Sequence, residues 1–258
     1  MCEIFALNSK TKYAPDKYLR AFFSHSDEHH SGWGIALIED GNINIEKEPV
    51  KASDSKYLKE RLNNLKDCKD MLAHIRLATV GYMEYKNTHP FTVNDISGRK
   101  WVQIHNGTMF EASFLSDYSN CQNGTTDSEQ MLYYYKDCLD SQISKKGGEL
   151  SFEERFKIID DAVCILSDGC KLNMMLHDGE YLYVHRNYKD SLYFLEDGDA
   201  VIISTSPLSS EDEWLQVPGN MLLAYKDGKC VKRGTNHGHS FEFTEEQLKY
   251  IYTAIAML

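Results

Sequence analysis

Asp-Gly dipeptides recur in this chain where one short alternating apolar segment gives way to the next, and they confine it largely to antiparallel sheets. Asp40-Gly41 separates Trp33–Glu39 from Asn42–Glu48, Asp178-Gly179 separates Lys171–His177 from Glu180–His185, and Asp227-Gly228 separates Met221–Tyr225 from Lys229–Arg233. Both central residues of a type I′ turn need positive φ, which Asp tolerates and glycine takes without steric cost. Period-two alternation predicts further strands over Glu3–Asn8, Met71–Arg76, Trp101–His105, Leu192–Glu196 and Ala200–Ser204.

Other stretches repeat apolar residues every three or four positions, the mark of amphipathic helices. Phe152, Phe156, Ile159, Val163 and Leu166 form a stripe opened by Ser151-x-x-Glu154, Met131, Tyr135 and Leu139 follow Thr126-x-x-Glu129, and Leu248, Ile251, Ile255 and Leu258 follow Thr244-x-x-Gln247. All three openings have capping-box spacing. Tyr18, Leu19 and Phe22 follow Pro15 at a helix start, and Tyr57, Leu58, Arg61, Leu62 and Leu65 complete a fifth stripe. Lys145-Lys146-Gly147-Gly148 reads as an exposed turn between two helices. Strands and helices mixed along the chain predict an α+β fold, two antiparallel sheets covered by helices. No Pro- or Gly-rich linker divides the 258 residues, so residues 1–258 are read as a single domain.

A net charge of -11 argues against a nucleic-acid surface, which needs clustered Lys and Arg. The longest apolar runs, such as Gly34-Ile35-Ala36-Leu37-Ile38, fall far below the roughly 20 residues that cross a bilayer. The N-terminus lacks the basic and apolar regions of a signal peptide. Seven cysteines, an odd number without a Cys-x-x-Cys pair, suit neither a disulfide framework nor a zinc ribbon and point to a reducing cytoplasm. No nucleic acid, membrane or cofactor is expected.

Cys2 opens the first apolar strand, in Met1-Cys2-Glu3-Ile4-Phe5. If Met1 is removed, a thiol and a free α-amine share one residue, and an amine of pKa about 8 is available to take the proton of a thiol of pKa about 8.5. The plain alternative is a small apolar residue on a buried strand.

Six segments, in order, carry a resemblance: Met1-Cys2-Glu3, His30-Ser31-Gly32-Trp33-Gly34, Ala73-His74-Ile75-Arg76-Leu77-Ala78-Thr79-Val80-Gly81, Asn87-Thr88-His89-Pro90-Phe91, His105-Asn106-Gly107 and Thr126-Asp127-Ser128-Glu129. Together they resemble the class II, N-terminal nucleophile glutamine amidotransferases. Ser204-Thr205-Ser206-Pro207-Leu208, Glu213-Trp214 and Val217-Pro218-Gly219 extend the likeness toward the stand-alone YafJ-like group. That group includes the γ-glutamyl hydrolase of ergothioneine synthesis and a glutathione-degrading subunit of yeast. The resemblance implies a four-layer αββα sandwich of the N-terminal nucleophile hydrolase type. It also implies Cys2 as nucleophile, attacking the γ-carbonyl of glutamine or a γ-glutamyl compound through a thioester.

The remaining roles follow from the same resemblance. Arg76 would hold the substrate α-carboxylate, for which a guanidinium fork is suited. Asp127 would accept from the α-ammonium, Asn106 and Gly107 would form the oxyanion hole, and Thr79 and His89 would lie near bound substrate. Read without it, Arg76 is a surface arginine at a strand end, Asn106-Gly107 a turn dipeptide, Asp127 a helix-dipole partner and His89 a structural histidine. The aminotransferring synthases carry Trp and His where Leu77 and Val80 stand here, which leaves room for substrates other than glutamine. The acceptor would be water, or a separate synthase subunit.

His25 and His29 at helical spacing, with His30, His237 and His239, suggest metal ligands, but no His-Glu-x-x-His or cysteine pair accompanies them, and solvated histidines near a turn account for them. The Tyr133-Tyr134-Tyr135 run reads as core and surface of one helix. From about residue 131 onward no motif is assigned chemistry. The alternative to an enzyme is a binding or regulatory protein that keeps the fold without the reaction, as a retained Met1 would produce.

Overall fold

A computed structural model describes residues 2–79 and 81–256. Met1, Val80 and Leu258 of the readings above lie outside the described residues, as does the side chain of Ile255. The chain runs β1 (Glu3–Tyr13), α1 (Asp16–Ser24), β2 (Trp33–Glu39), β3 (Asn42–Glu48), α2 (Lys56–Asn63), β4 (Cys68–Ile75), β5 (Phe91–Asn94), β6 (Lys100–Thr108), α3 (Asp127–Lys146), α4 (Phe152–Leu166), β7 (Lys171–His177), β8 (Leu182–His185), β9 (Tyr193–Asp197), β10 (Ala200–Ser204), β11 (Leu215–Gln216), β12 (Leu223–Lys226), β13 (Lys229–Arg233) and α5 (Glu245–Ala256).

Two antiparallel sheets result, one ordered β11-β9-β10-β1-β4-β2-β3 and the other β13-β12-β8-β7-β6-β5. Alternation along each strand sorts its side chains into layers. Ile4 and Ala6 of β1 face the other sheet, together with Ala36, Leu72, Val102, Ile104, Met175 and Ile203. Phe5 and Leu7 point the opposite way, into a cluster shared with Tyr18, Leu19 and Phe22 of α1 and Leu58 and Leu62 of α2. Trp101, Leu172, Met174 and Tyr183 form the outer face of the second sheet and pack on Met131, Leu139, Phe156 and Ile159 of α3 and α4. This is the α/β/β/α layering that the resemblance implied.

The helix starts behave as their sequences predict at Ser151 and Thr244, where both halves of the capping box form. Thr126 caps the Glu129 N–H, but Glu129 turns its carboxylate to the N–H groups of Asn123 and Gly124 and braces the preceding loop instead. Gly147 ends α3 in the left-handed region, φ 73°. Asp40-Gly41 and Asp227-Gly228 take positive φ at both residues, as a type I′ turn requires.

Asp178-Gly179 departs from that expectation. Only Gly179 has positive φ, and β8 begins at Leu182, so the connector is four residues long. The reason is that the Asp178 carboxylate is a buried acceptor, bonded by Arg155 Nε at 2.8 Å, by the Tyr183 hydroxyl at 2.9 Å and by the N–H groups of Glu180 and Tyr181. Two strands escaped the sequence reading: β5, four residues behind a proline, and β11, two residues long. Both are too short to show a period.

Ile104 lies fully buried in the layer between the sheets, two residues before Asn106. Truncation to alanine should cost about 2–5 kcal/mol, read as a lower urea midpoint with an unchanged slope; a loss below 1 kcal/mol on that same measurement would mean this layer carries little of the stability.

Candidate active site

Pairing places Cys2 at the end of a central strand. β1 has β4 on one side, with Glu3 opposite Ile75, and β10 on the other, with Phe5 opposite Ser204. Thr205, just past β10, clamps the same end: its N–H donates to the Ile4 carbonyl at 3.0 Å and its hydroxyl accepts the Ile4 N–H at 2.9 Å. The Cys2 thiol, half-buried, donates to the Leu77 carbonyl at 3.4 Å. Thr205 belongs to the half of the chain to which the sequence assigned no chemistry.

Arg76 follows β4 and is 2 % exposed. Its main chain is fixed to the next loop, N–H to the Gly32 carbonyl and carbonyl from the Ser31 N–H, both at 2.8 Å. Its Nη1 and Nη2 donate to the carbonyls of Tyr82 and Gly81. Burial pushes the guanidinium below its ordinary range, while Cys2 and Asp127 act the other way. The three groups therefore share one electrostatic environment. Ser31 Oγ accepts the Ala78 N–H at 3.1 Å and holds the turn before half-buried Thr79.

Asp127 starts α3 behind its cap Thr126. Its carboxylate accepts the Met109 N–H at 3.0 Å and the Ser128 N–H at 2.8 Å, so it is anchored to the end of β6 as well as to its own helix. Ser128 adds two ties to β6: its carbonyl accepts Gln103 Nε2 at 2.8 Å and its hydroxyl meets His105 Nδ1 at 2.9 Å. Asn87 staples the loops before Arg76's carbonyl partners and before Asp127 together, accepting the Thr125 N–H at 2.7 Å and donating to the Tyr82 carbonyl at 3.1 Å.

Asn106 and Gly107 sit inside β6 and pair with Asn173 and Leu172 of β7, so they belong to a strand and not to a turn. β5 pairs with β6 only as far as Gln103, which leaves Ile104 to Thr108 with no strand on that side among the described residues. Gly107 is required by close approach: a Cβ there would run into the Lys171 carbonyl and the His105 ring. Lys171, 1 % exposed, reaches Asn106 Oδ1 with its Nζ at 3.2 Å. Burial pushes its ammonium down to about 7, with Cys2 opposing that shift. The Tyr188 ring lies 4.9 Å from the same Nζ. Lys171 heads an ordinary-looking strand, and nothing in its local pattern distinguishes it.

His89 is buried and stacked on His74, ring centroids 4.1 Å apart, with Phe91 at 4.5 Å. Gly34 admits this segment, because a Cβ there would strike the His89 carbonyl. The metal candidates part company. His25 pairs with Glu3 at 2.9 Å, which raises its pKa, and the other two of the first set are a buried His29 and an exposed His30. His237 bonds the buried His185 ring at 3.0 Å. The description as solvated histidines therefore fails for His29 and His237, since one packs under its turn and the other closes on β8. Among the described residues no three His, Cys, Asp or Glu side chains are grouped to hold a metal ion.

The family model for class-II glutamine amidotransferases matches residues 1–196. This chain belongs to that family. The chain is 31 % identical over 259 residues to an uncharacterised protein of Methanocaldococcus jannaschii, covering 90 % of this chain and 71 % of that one. It is 27 % identical over 261 residues to a provisionally named glutamine amidotransferase of Haemophilus influenzae, covering 90 % and 86 %. Among solved structures it superposes on the glutamine phosphoribosylpyrophosphate amidotransferase of B. subtilis with TM-score 0.64 at 17 % identity, covering 90 % of this chain and 48 % of that one. A Pseudomonas aeruginosa structure described as a predicted glutamine amidotransferase is covered in full, with TM-score 0.59 at 18 % identity. These likenesses show the fold, two antiparallel sheets between helices. No described helix is long and apolar enough to cross a membrane.

Burial holds His74, His89, His105 and His185 neutral by pushing each pKa below the ordinary histidine value. The unfolded chain protonates these imidazoles near pH 6.5 while the fold does not, so stability is full above that pH and declines as pH falls below it. Urea midpoints should hold between pH 7.5 and about 6.5 and drop from there to pH 5.5, and His89→Phe should flatten the decline. A midpoint independent of pH over this range would mean that the imidazoles charge within the fold.

Proposed function

We propose that this protein is an N-terminal-cysteine amidohydrolase that cleaves the γ-amide of glutamine or of a γ-glutamyl compound, and that residues 1–258 form one domain of this type. The observation that carries the reading is a chain of bonds: the Cys2 thiol donates to the residue after Arg76, Asn87 ties the Arg76 partner Tyr82 to the loop before Asp127, and Asp127 accepts the N–H of Met109, two residues past Gly107. Nucleophile, carboxylate fork, ammonium acceptor and oxyanion donor are the four functions that hydrolysis of a free amino acid's side-chain amide demands.

In this reading the Cys2 α-amine, freed by loss of Met1, takes the thiol proton, and sulfur attacks the γ-carbonyl carbon. The oxyanion is met by Asn106 Nδ2 and the Gly107 N–H, donors fixed before the charge develops. The amine passes its proton to the leaving nitrogen, ammonia or an amine departs, and water resolves the thioester to glutamate and free thiol. Arg76 meets the α-carboxylate with its guanidinium, which the carbonyls of Gly81 and Tyr82 hold in place. Asp127 meets the α-ammonium, and Thr79 and His89 border the substrate. Leu77, whose carbonyl holds the thiol, presents a smaller side chain than the tryptophan of the synthases, which favours a larger γ-glutamyl substrate. Delivery of ammonia to a separate synthase subunit, in a cytoplasmic setting, is the variant in which glutaminase activity depends on a partner.

Intact mass before and after a diazo-ketone glutamine analogue tests the reading. The expected result is loss of the Met1 mass and one adduct at Cys2, absent in Cys2→Ala; a retained Met1 without adduct would favour a binding protein without the reaction. Asn106→Ala should lower kcat by about 10² to 10³ with Cys2 still present, and an unchanged kcat for hydrolysis of glutamine or a γ-glutamyl amide would remove Asn106 from the oxyanion hole.

A further inference from the structure

Lys171 touches all three residues of the His105-Asn106-Gly107 segment. Its Nζ is 3.2 Å from Asn106 Oδ1, its carbonyl oxygen is 3.3 Å from His105 Nε2, and the same carbonyl occupies the space where residue 107 would carry a Cβ. It begins β7 opposite Thr108 and is 1 % exposed. Burying an ammonium is among the costlier choices a fold can make. The structure accepts that cost beside the one amide whose orientation the proposed chemistry depends on.

We propose that Lys171 is a positioning residue of the site: its ammonium donates to Asn106 Oδ1, which fixes the amide with Nδ2 directed away from the lysine as an oxyanion donor. An ammonium has donors and no acceptor, so the amide can meet it only with oxygen. Without it the amide could turn by half a revolution and offer a carbonyl to the developing negative charge. Polarisation of the amide by the adjacent positive charge would also strengthen its N–H donors. Among the described residues, the groups facing Lys171 include the Cys2 thiol just before β1, His105 and Asn106 from β6, and the Tyr188 ring, which is backed by Phe243 at 5.5 Å and by Phe241 at 6.3 Å. The inference deepens the reading of a Cys2 amidohydrolase and rests on it.

The full chain, Lys171→Met and Lys171→Arg are compared for hydrolysis of glutamine or a γ-glutamyl amide from pH 5.5 to 9. Loss of the ammonium should lower kcat roughly 10- to 100-fold, less than deletion of the donor itself, with KM within about twofold. Arginine, which also donates only, should restore part of kcat. Because Lys171 would lose its proton near pH 7, wild-type kcat should carry a declining alkaline limb that Lys171→Met lacks. The Asn106 side-chain ¹⁵N–H₂ resonances of the wild-type protein should shift with a midpoint near the same pH, a readout that stands if a variant does not fold. An active wild type whose Lys171→Met variant keeps kcat within twofold and retains the alkaline limb overturns the role, as does an Asn106 amide that does not titrate. A wild type that neither hydrolyses these amides nor is alkylated at Cys2 overturns the amidohydrolase reading and this role with it.

Discussion

The site depends on two sheets held face to face by apolar side chains. Cys2 and Arg76 stand at the ends of β1 and β4 in one sheet, and Asn106, Gly107 and Lys171 stand on β6 and β7 in the other. Ile4, Ala6 and Leu72 meet Val102, Ile104 and Met175 across the interior. Such contact is strong but non-directional, so it brings the sheets together without choosing their relative position. Directional ties do that. His74 Nε2 bonds the His105 carbonyl at 3.2 Å, linking β4 directly to the residue before Asn106, and the Ser128 bonds to Gln103 and His105 hold α3 and Asp127 to β6.

That polar seam shows how the fold trades stability for geometry. His74, His89 and His105 are buried together, and both ring nitrogens of His89 have no hydrogen-bond partner among the described residues. Such groups cost free energy wherever they lie. Lys171 adds a buried amine beside them. Under-satisfied groups are places where a fold departs from its own rules, and His74, His89 and Gln103 each contribute such an atom on or beside β4 and β6.

Legibility in the sequence followed the range of the interaction involved. β2, β3, β7, β10 and β13 match their alternating segments residue for residue, because period two depends only on neighbours along one strand. Capping at Ser151 and Thr244 is equally local. Asp178 shows the limit: its dipeptide signals a tight turn, but Arg155 and Tyr183, from α4 and β8, claim its carboxylate. Glu129 shows the same limit at a helix start, where the preceding loop claims its carboxylate. Gly34 and Gly107 were legible as parts of motifs. The reason each must be glycine is a close backbone approach from a segment distant in sequence.

The amino-acid sequence by itself determined the class of fold, the order of its elements and the family, since apolar periodicity, turn dipeptides and six short ordered motifs are all written in local residues. It also named Cys2, Arg76, Asn106, Gly107 and Asp127 as candidates. Only the tertiary structure decided which of the remaining residues face them. Lys171 comes from a strand with no distinguishing pattern, and Thr205, Ser31, Asn87 and Ser128, though parts of quoted motifs, act through bonds to segments distant in the chain. A side chain's local sequence states its chemistry, whereas its burial and its partner are set by strand register and sheet packing, which are properties of the whole chain.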